Sequence, residues 1–185
     1  MAVRLSSGSR RGRPRAELRP TASRTLQAVF NMLRGEVEGK NILDLYAGVG
    51  SYGVMALRQG ADSAVFVDNT RASEKRISQA LAKYHLEDRA LYFHEDVEHF
   101  LHASDRWESG FDIVFADPPY SQVPPGALVE ALCASGLVGE EGILVIEHSS
   151  RTAPPEHSTL RLRKSRVFGD TTVSIYQHRS GGNPL

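Results

Sequence analysis

The sequence has a single cysteine, Cys133, in 185 residues. One thiol closes no disulfide within the chain and builds no cysteine zinc cluster. A reducing, cytoplasmic setting is therefore expected. No apolar run reaches the roughly 18 residues that would cross a membrane. The N-terminus lacks the apolar stretch of a secretory leader, so none is expected. There is no excess charge of either sign, with 22 basic against 22 acidic side chains. The length fits one domain and leaves no space for a second of ordinary size.

The charge that is there is unevenly placed. Residues 1–40 carry nine basic and three acidic side chains, residues 41–150 carry seven and 17, and residues 151–185 carry six and two. Basic ends suit a polyanion, and an acidic middle suits a neutral or cationic small molecule. Solvated ends of the chain would give the same numbers. Residues 1–20 hold six arginines against Glu17 and show no apolar period. They read as a basic arm with room for a short strand at Val3–Leu5. Residues 21–185 read as one domain.

Leu26, Val29, Phe30 and Leu33 recur at helical spacing and predict a helix that Thr21 caps and Gly35 or Gly39 ends. After it, short apolar runs alternate with helical stretches. Strands are expected at 41–46, 64–67, 90–93, 111–116 and 142–147, with helices at 54–58, 70–84, 97–103 and 127–135 between them. The runs LDLY, VFV, IVFA and ILVI are almost wholly apolar, as in strands buried on both faces of a parallel sheet. Leu160–Phe168 and Thr171–Gln177 form a hairpin around Gly169-Asp170. The fold expected is α/β: a doubly wound, mostly parallel seven-stranded sheet with an antiparallel C-terminal hairpin.

In such sheets ligands sit beyond the carboxyl ends of the strands. Gly48, Gly50 and Gly53 match G-x-G-x-x-G, and Asp68 follows Gly48 by 20 residues. That pattern alone suggests a dinucleotide. Asp44 opposes it, because a carboxylate at the strand end repels a pyrophosphate. It favours a ligand with positive charge and no phosphate, such as S-adenosylmethionine. Gly48 and Gly50 would let the backbone approach that ligand closely. Asp68 would accept both ribose hydroxyls, and Asp96 the adenine amine. Capping a helix is the structural alternative for Asp44, Asp68 and Asp96.

Asp117-Pro118-Pro119-Tyr120 follows the fourth expected strand. The prolines end the strand and stiffen the chain after it. The Asp117 carboxylate and the Pro118 carbonyl form a rigid pair of acceptors, which is what an –NH2 group needs. An exocyclic amine on a base is a poor nucleophile, because its lone pair is delocalised into the ring. Accepting both its hydrogens localises that pair, and a carboxylate stabilises the charge that develops on attack. Tyr120 offers a flat face on which to stack a base.

Asp117–Tyr120 resembles the (D/N)PP(Y/F) motif of amino-methyltransferases of the class I, Rossmann-like fold. Arg19-Pro20-Thr21, Arg24, Phe30-Asn31 and Leu33, followed by LDLYAGVGSYGVMAL, are similar to the bacterial RsmD family. The likeness runs from the arm to GDTTVSIYQ. It implies methyl transfer from S-adenosylmethionine to N2 of a guanine in 16S ribosomal RNA, either free or in a small-subunit assembly intermediate. A cytoplasmic monomer is expected. The implied catalytic residues are Asp117, Pro118, Pro119 and Tyr120. The implied cofactor contacts are Thr21, Arg24, Asp44, Ala47, Gly48, Gly50, Asp68, Asn69, Asp96, Val97 and Asp117. Arg10, Arg11, Arg13, Arg15 and Arg19 would meet RNA phosphates. Tyr52 is bulkier than the family pattern. No metal is expected, since His99 and His102 read as a solvated helix face. Trp107 is expected to cover a sheet edge. The main rival is an N6-adenine or other amino-methyltransferase acting on DNA or tRNA.

Overall fold

The computed structural model describes residues 2–4, 20–119 and 123–179. In chain order it contains β1 (Ala2–Arg4), α1 (Pro20–Met32), β2 (Asn41–Leu45), α2 (Ser51–Arg58), β3 (Ser63–Asp68), α3 (Arg71–Tyr84) and β4 (Ala90–His94). There follow α4 (Val97–His102), β5 (Phe111–Ala116), α5 (Pro125–Ser135), β6 (Val138–Ser149), β7 (Leu160–Phe168) and β8 (Thr171–His178). The strands form one sheet in the order β1-β4-β3-β2-β5-β6-β8-β7. Strands β2 to β6 pair in parallel, and β8 and β7 add antiparallel at one edge.

All seven expected strands are present, and the sheet gains an eighth. Ala2–Arg4 pairs antiparallel with Leu91–Phe93 and covers what would otherwise be the open edge of β4. The first residues of the expected arm are thus part of the sheet, while residues 5–19 lie outside the described chain. The start of α1 also differs from expectation. The helix begins at Pro20, so Thr21 lies inside it and does not cap it. Proline suits the first helical position because its φ is already helical and no amide is lost there.

Alternation along the strands divides the interior into two layers. Ile42, Phe66, Ile113, Phe115, Val145 and Ile175 face α1, α2 and α3, meeting Leu26, Phe30, Leu57 and Ile77. Leu43, Val65, Val67, Val114, Leu144 and Ile146 face the other way, toward Phe100, Leu128 and Leu132 of α4 and α5. Trp107 packs edge-on against Phe93 and tilted against Phe111, within this second layer. It therefore packs on the face of the sheet, between β4, β5 and α4, and does not cover the expected edge, since the edges are β1 and β7.

The glycines on α2 and α5 obey different constraints. A Cβ at Gly53 would lie 2.3 Å from the ring of Phe66, which is fully buried. At Gly126 nothing stands within 4 Å. Gly53→Ala should therefore destabilise the protein by about 1–3 kcal/mol through overpacking. Gly126→Ala should stabilise it by up to about 1 kcal/mol through helix propensity. Urea unfolding of the two variants checks the opposite signs.

Candidate active site

The site is built where β2, β3 and β5 end. Asp44 lies inside β2, is 2% exposed, and accepts from the Gly53 amide at 2.9 Å. Gly53 is in the first turn of α2, so Asp44 does satisfy a helix amide, the role set beside its electrostatic one. Asp68 ends β3. Its Oδ2 accepts from the Gly48 amide at 2.8 Å, and its Oδ1 accepts from the Thr70 amide and hydroxyl, both at 2.9 Å. The cap of α3 is Thr70 and not Asp68. Two carboxylates on neighbouring strands thus hold the glycine turn from both sides.

The turn needs its glycines. Gly50 has φ +74°, and a Cβ there would lie 2.8 Å from Ile77 Cγ1. Its amide donates to the Ala47 carbonyl at 2.7 Å, and the Ala47 amide donates to Val67 at 3.1 Å. Tyr46, just before the turn, holds φ +55°, a left-handed conformation that is strained for an aromatic residue. Burial, with Asp96 and Glu98 nearby, pushes its hydroxyl up to about 12.

A cavity of about 890 Å³ opens over these strand ends. Asp68, Asn69, Thr70, Asp96 and Asp117 give it a polar side, and Leu101, Val123, Ala127, Leu128 and Ala131 an apolar one. Pro118, Pro119, Val97 and Tyr46 also line it. Its size and mixed walls suit a nucleoside-sized ligand. Asp96 also caps α4 by accepting from the Glu98 amide at 2.9 Å, and Asn69 reaches its other oxygen at 3.4 Å. Capping therefore applies to Asp96, which nonetheless remains on the cavity wall.

Several expected residues stand elsewhere. Arg24 is exposed on α1 and does not line the cavity. Asp44, Ala47, Gly48 and Gly50 are not among its lining residues, and they shape the turn. Tyr120 and Arg10, Arg11, Arg13, Arg15 and Arg19 fall outside the described residues, and the Thr21 side chain does too. Sequence reasoning missed Tyr46, Thr70 and the α5 wall. The position of Tyr46 between strand end and glycines was the one available signal.

Tyr52, the bulky residue of the turn, is accommodated without disturbing it. Its ring stacks on Phe115 at 4.7 Å and lies 6.4 Å from Phe30. Its hydroxyl donates to Glu147 near the end of β6. Burial and the Glu147 carboxylate push that hydroxyl well above the usual tyrosine range.

The electrostatics favour a cation. Burial, reinforced by Asp117 and Asp68, pushes Asp44 up to about 8 against the opposing bond from Gly53. The neighbouring carboxylates gather negative charge that a sulfonium and an ammonium group would offset, so the residues present fit S-adenosylmethionine. Asp68, Asn69 and Asp96 would hold its nucleoside part, and Asp117 faces the same space. Among the described residues no cluster of metal ligands occurs.

Fold and site together define a methyltransferase dependent on S-adenosylmethionine. The family model described as "Conserved hypothetical protein 95" matches residues 3–177, and the chain belongs to that family. It is 32% identical over 183 residues to "Putative rRNA methyltransferase YlbH" of Bacillus subtilis, covering 96% of this chain and 100% of that one. It is 25% identical to "Ribosomal RNA small subunit methyltransferase D" of Escherichia coli, covering 97% and 92%. The solved structure "Putative methyltransferase yhhF from Escherichia coli" superposes with a TM-score of 0.77 at 26% identity, over 97% of this chain and 99% of that one.

The raised Asp44 has a defined consequence. In the unfolded chain the group ionises near 3.8, and in the folded protein near 8. Between these values the folded state binds the extra proton, so stability falls as pH rises, by up to about 1.4 kcal/mol per unit. Asp44→Asn should flatten that fall, as urea unfolding across the window would read. Binding of the cationic cofactor should expel the proton. Calorimetry in buffers of different ionisation enthalpy should detect this in the wild type and not in Asp44→Asn.

Proposed function

We propose that the protein transfers a methyl group from S-adenosylmethionine to N2 of a guanine in 16S ribosomal RNA. The observation that carries this reading is that Asp117-Pro118-Pro119 lines the same cavity as Asp68 and Asp96. A cofactor bound there supplies a methyl group on a positively charged sulfur. The chain's own contribution is to accept the hydrogens of the target amine at the Asp117 carboxylate and the Pro118 carbonyl. That concentrates the nitrogen lone pair and stabilises the positive charge it acquires. Asp117 is exposed on the cavity side while Pro118 is buried, so the acceptor meets solvent and substrate from a fixed base. Tyr120 stacks the extruded base.

The relatives named for ribosomal RNA support the substrate class. The protein acts as a cytoplasmic monomer on free 16S rRNA or a small-subunit assembly intermediate. Arg10, Arg11, Arg13, Arg15 and Arg19 contact phosphates without reading sequence.

Labelled S-adenosylmethionine is incubated with small subunits from cells lacking the activity, and the product nucleoside is identified by mass. N2-methylguanosine is expected, and N6-methyladenosine would move the enzyme to the rival class. Asp117→Ala should lower methyl transfer by about 100-fold to 10,000-fold while cofactor affinity stays within a few-fold. A parallel loss of cofactor affinity would make Asp117 a cofactor ligand instead.

A further inference from the structure

The edge strand β7 carries Arg161, Arg163, Lys164 and Arg166 within six residues. Simple alternation would send residues 161 and 163 to one face of the hairpin and 164 and 166 to the other. The observed register prevents this. Leu162 pairs with Tyr176 and Lys164 with Ile175, which leaves Arg163 as the extra residue of a bulge. Cross-strand partners share a face. Arg161, Lys164 and Arg166 therefore stand on the face of Gln177, Ile175 and Val173, the last two of which pack in the core layer beneath α1.

Arg163 joins the same face. Its guanidinium donates to both carboxylate oxygens of Glu36, at 2.7 and 2.9 Å, and to Gln177 Oε1 at 3.2 Å. Lys164 Nζ donates to the Met32 carbonyl at 3.5 Å. Glu36 neutralises Arg163 and pins the bulge to the chain just after α1. Arg161 and Arg166 are exposed and make no ion pair among the described residues. The opposite face carries Leu162 and Val167, 45% and 62% exposed.

Charge on an edge strand blunts unwanted pairing, but that task does not require every cation on one face. The bulge gathers them there. The stripe spans about 13 Å along the strand, four ladder steps from Gln177 to Val173, and three strand spacings, about 14 Å, separate β7 from β5. Its upper end is at the catalytic rim, because Phe168 pairs with Thr171, and Thr171 with Ser149 at the end of β6.

We propose that the α1-side face of β7, with Arg161, Lys164 and Arg166 aligned by the bulge at Arg163, docks the phosphate backbone of the RNA substrate. This rests on the RNA reading above and names the surface that would carry the strand away from the catalytic rim.

The test measures binding of the whole protein to naked 16S rRNA over a salt series. The variants are Arg161→Gln/Arg166→Gln and, as a charge-matched control on exposed α3 positions, Lys75→Gln/Arg76→Gln. Removing two phosphate contacts should reduce the slope of log affinity against log salt by about 1.4 to 1.8. The control should leave the slope where it is, and both variants should keep wild-type cofactor affinity. An unchanged slope in the β7 variant overturns the stripe while leaving the methyltransferase reading intact. So does an equal loss in the control, which would make net charge the cause. Aggregation of the β7 variant with an unchanged slope assigns the cations to edge protection and overturns the proposal. Wild-type protein that neither binds nor methylates rRNA overturns the substrate reading and the stripe together.

Discussion

Burying Asp44 at the end of a central strand is the costly interaction around which this site is arranged. A carboxyl group removed from water and given one amide, that of Gly53, keeps its proton to about 8. Water is excluded because β2 lies between β3 and β5, with helices on both faces. The same bond fixes the first turn of α2. Across the turn, Asp68 binds Gly48 from β3. The glycine turn is thus suspended between two carboxylates, and its shape and its electrostatic preference come from the same atoms. A ligand with positive charge relieves the strain of that burial, whereas a pyrophosphate adds to it. That difference separates this turn from a dinucleotide site with the same glycine spacing.

Tyr52 ties this arrangement to the substrate side. It leaves the turn on α2, stacks on Phe115 of β5, and ends at Glu147 of β6. Phe115 is two residues before Asp117, so the ring packs beneath the strand that leads to Asp117-Pro118-Pro119. Phe30 of α1 closes the same cluster, 5.7 Å from Phe115. α1, the helix after the glycine turn and β5 therefore share one aromatic cluster. This packing takes up the bulk of Tyr52, and the φ values of Gly48 and Gly50 stay in the left-handed region.

The central strands were legible because burial on both faces leaves long apolar runs with little ambiguity. LDLY and IVFA mark β2 and β5 almost to the residue. Asp68, Asp96 and Asp117 were legible on the cavity wall because strand ends in this topology point at the ligand. Other features depend on tertiary context and leave no local trace. The short strand read at Val3–Leu5 is found one residue earlier, at Ala2–Arg4, but its pairing to the open edge of β4 is not written locally. Pro20 was readable as a helix start, yet Thr21 carried the stronger capping signal. The left-handed Tyr46 follows from where the chain must turn, which residue identity does not encode. The bulge at Arg163 is invisible in the sequence, where four cations in a strand read as both faces alike.

Charge segregation along the chain becomes a spatial pattern once the sheet is assembled. Part of the acidic excess of the middle lies at the strand ends that hold the site, in Asp44, Asp68, Asp96 and Asp117. Another part lies at the opposite ends of the strands, where Asp62, Asp88, Glu108, Asp112 and Glu140 line two smaller clefts. Lys40 meets Asp112 there at 3.3 Å, but the other acids outnumber it. On the β7 edge the sign reverses, and β7 reaches the catalytic rim at Phe168. Acids thus gather at both ends of the parallel strands, and the exposed cations Arg161 and Arg166 stand apart from them on the β7 edge. The zero net charge of the sequence conceals this, because the two signs cancel in the sum and not in space.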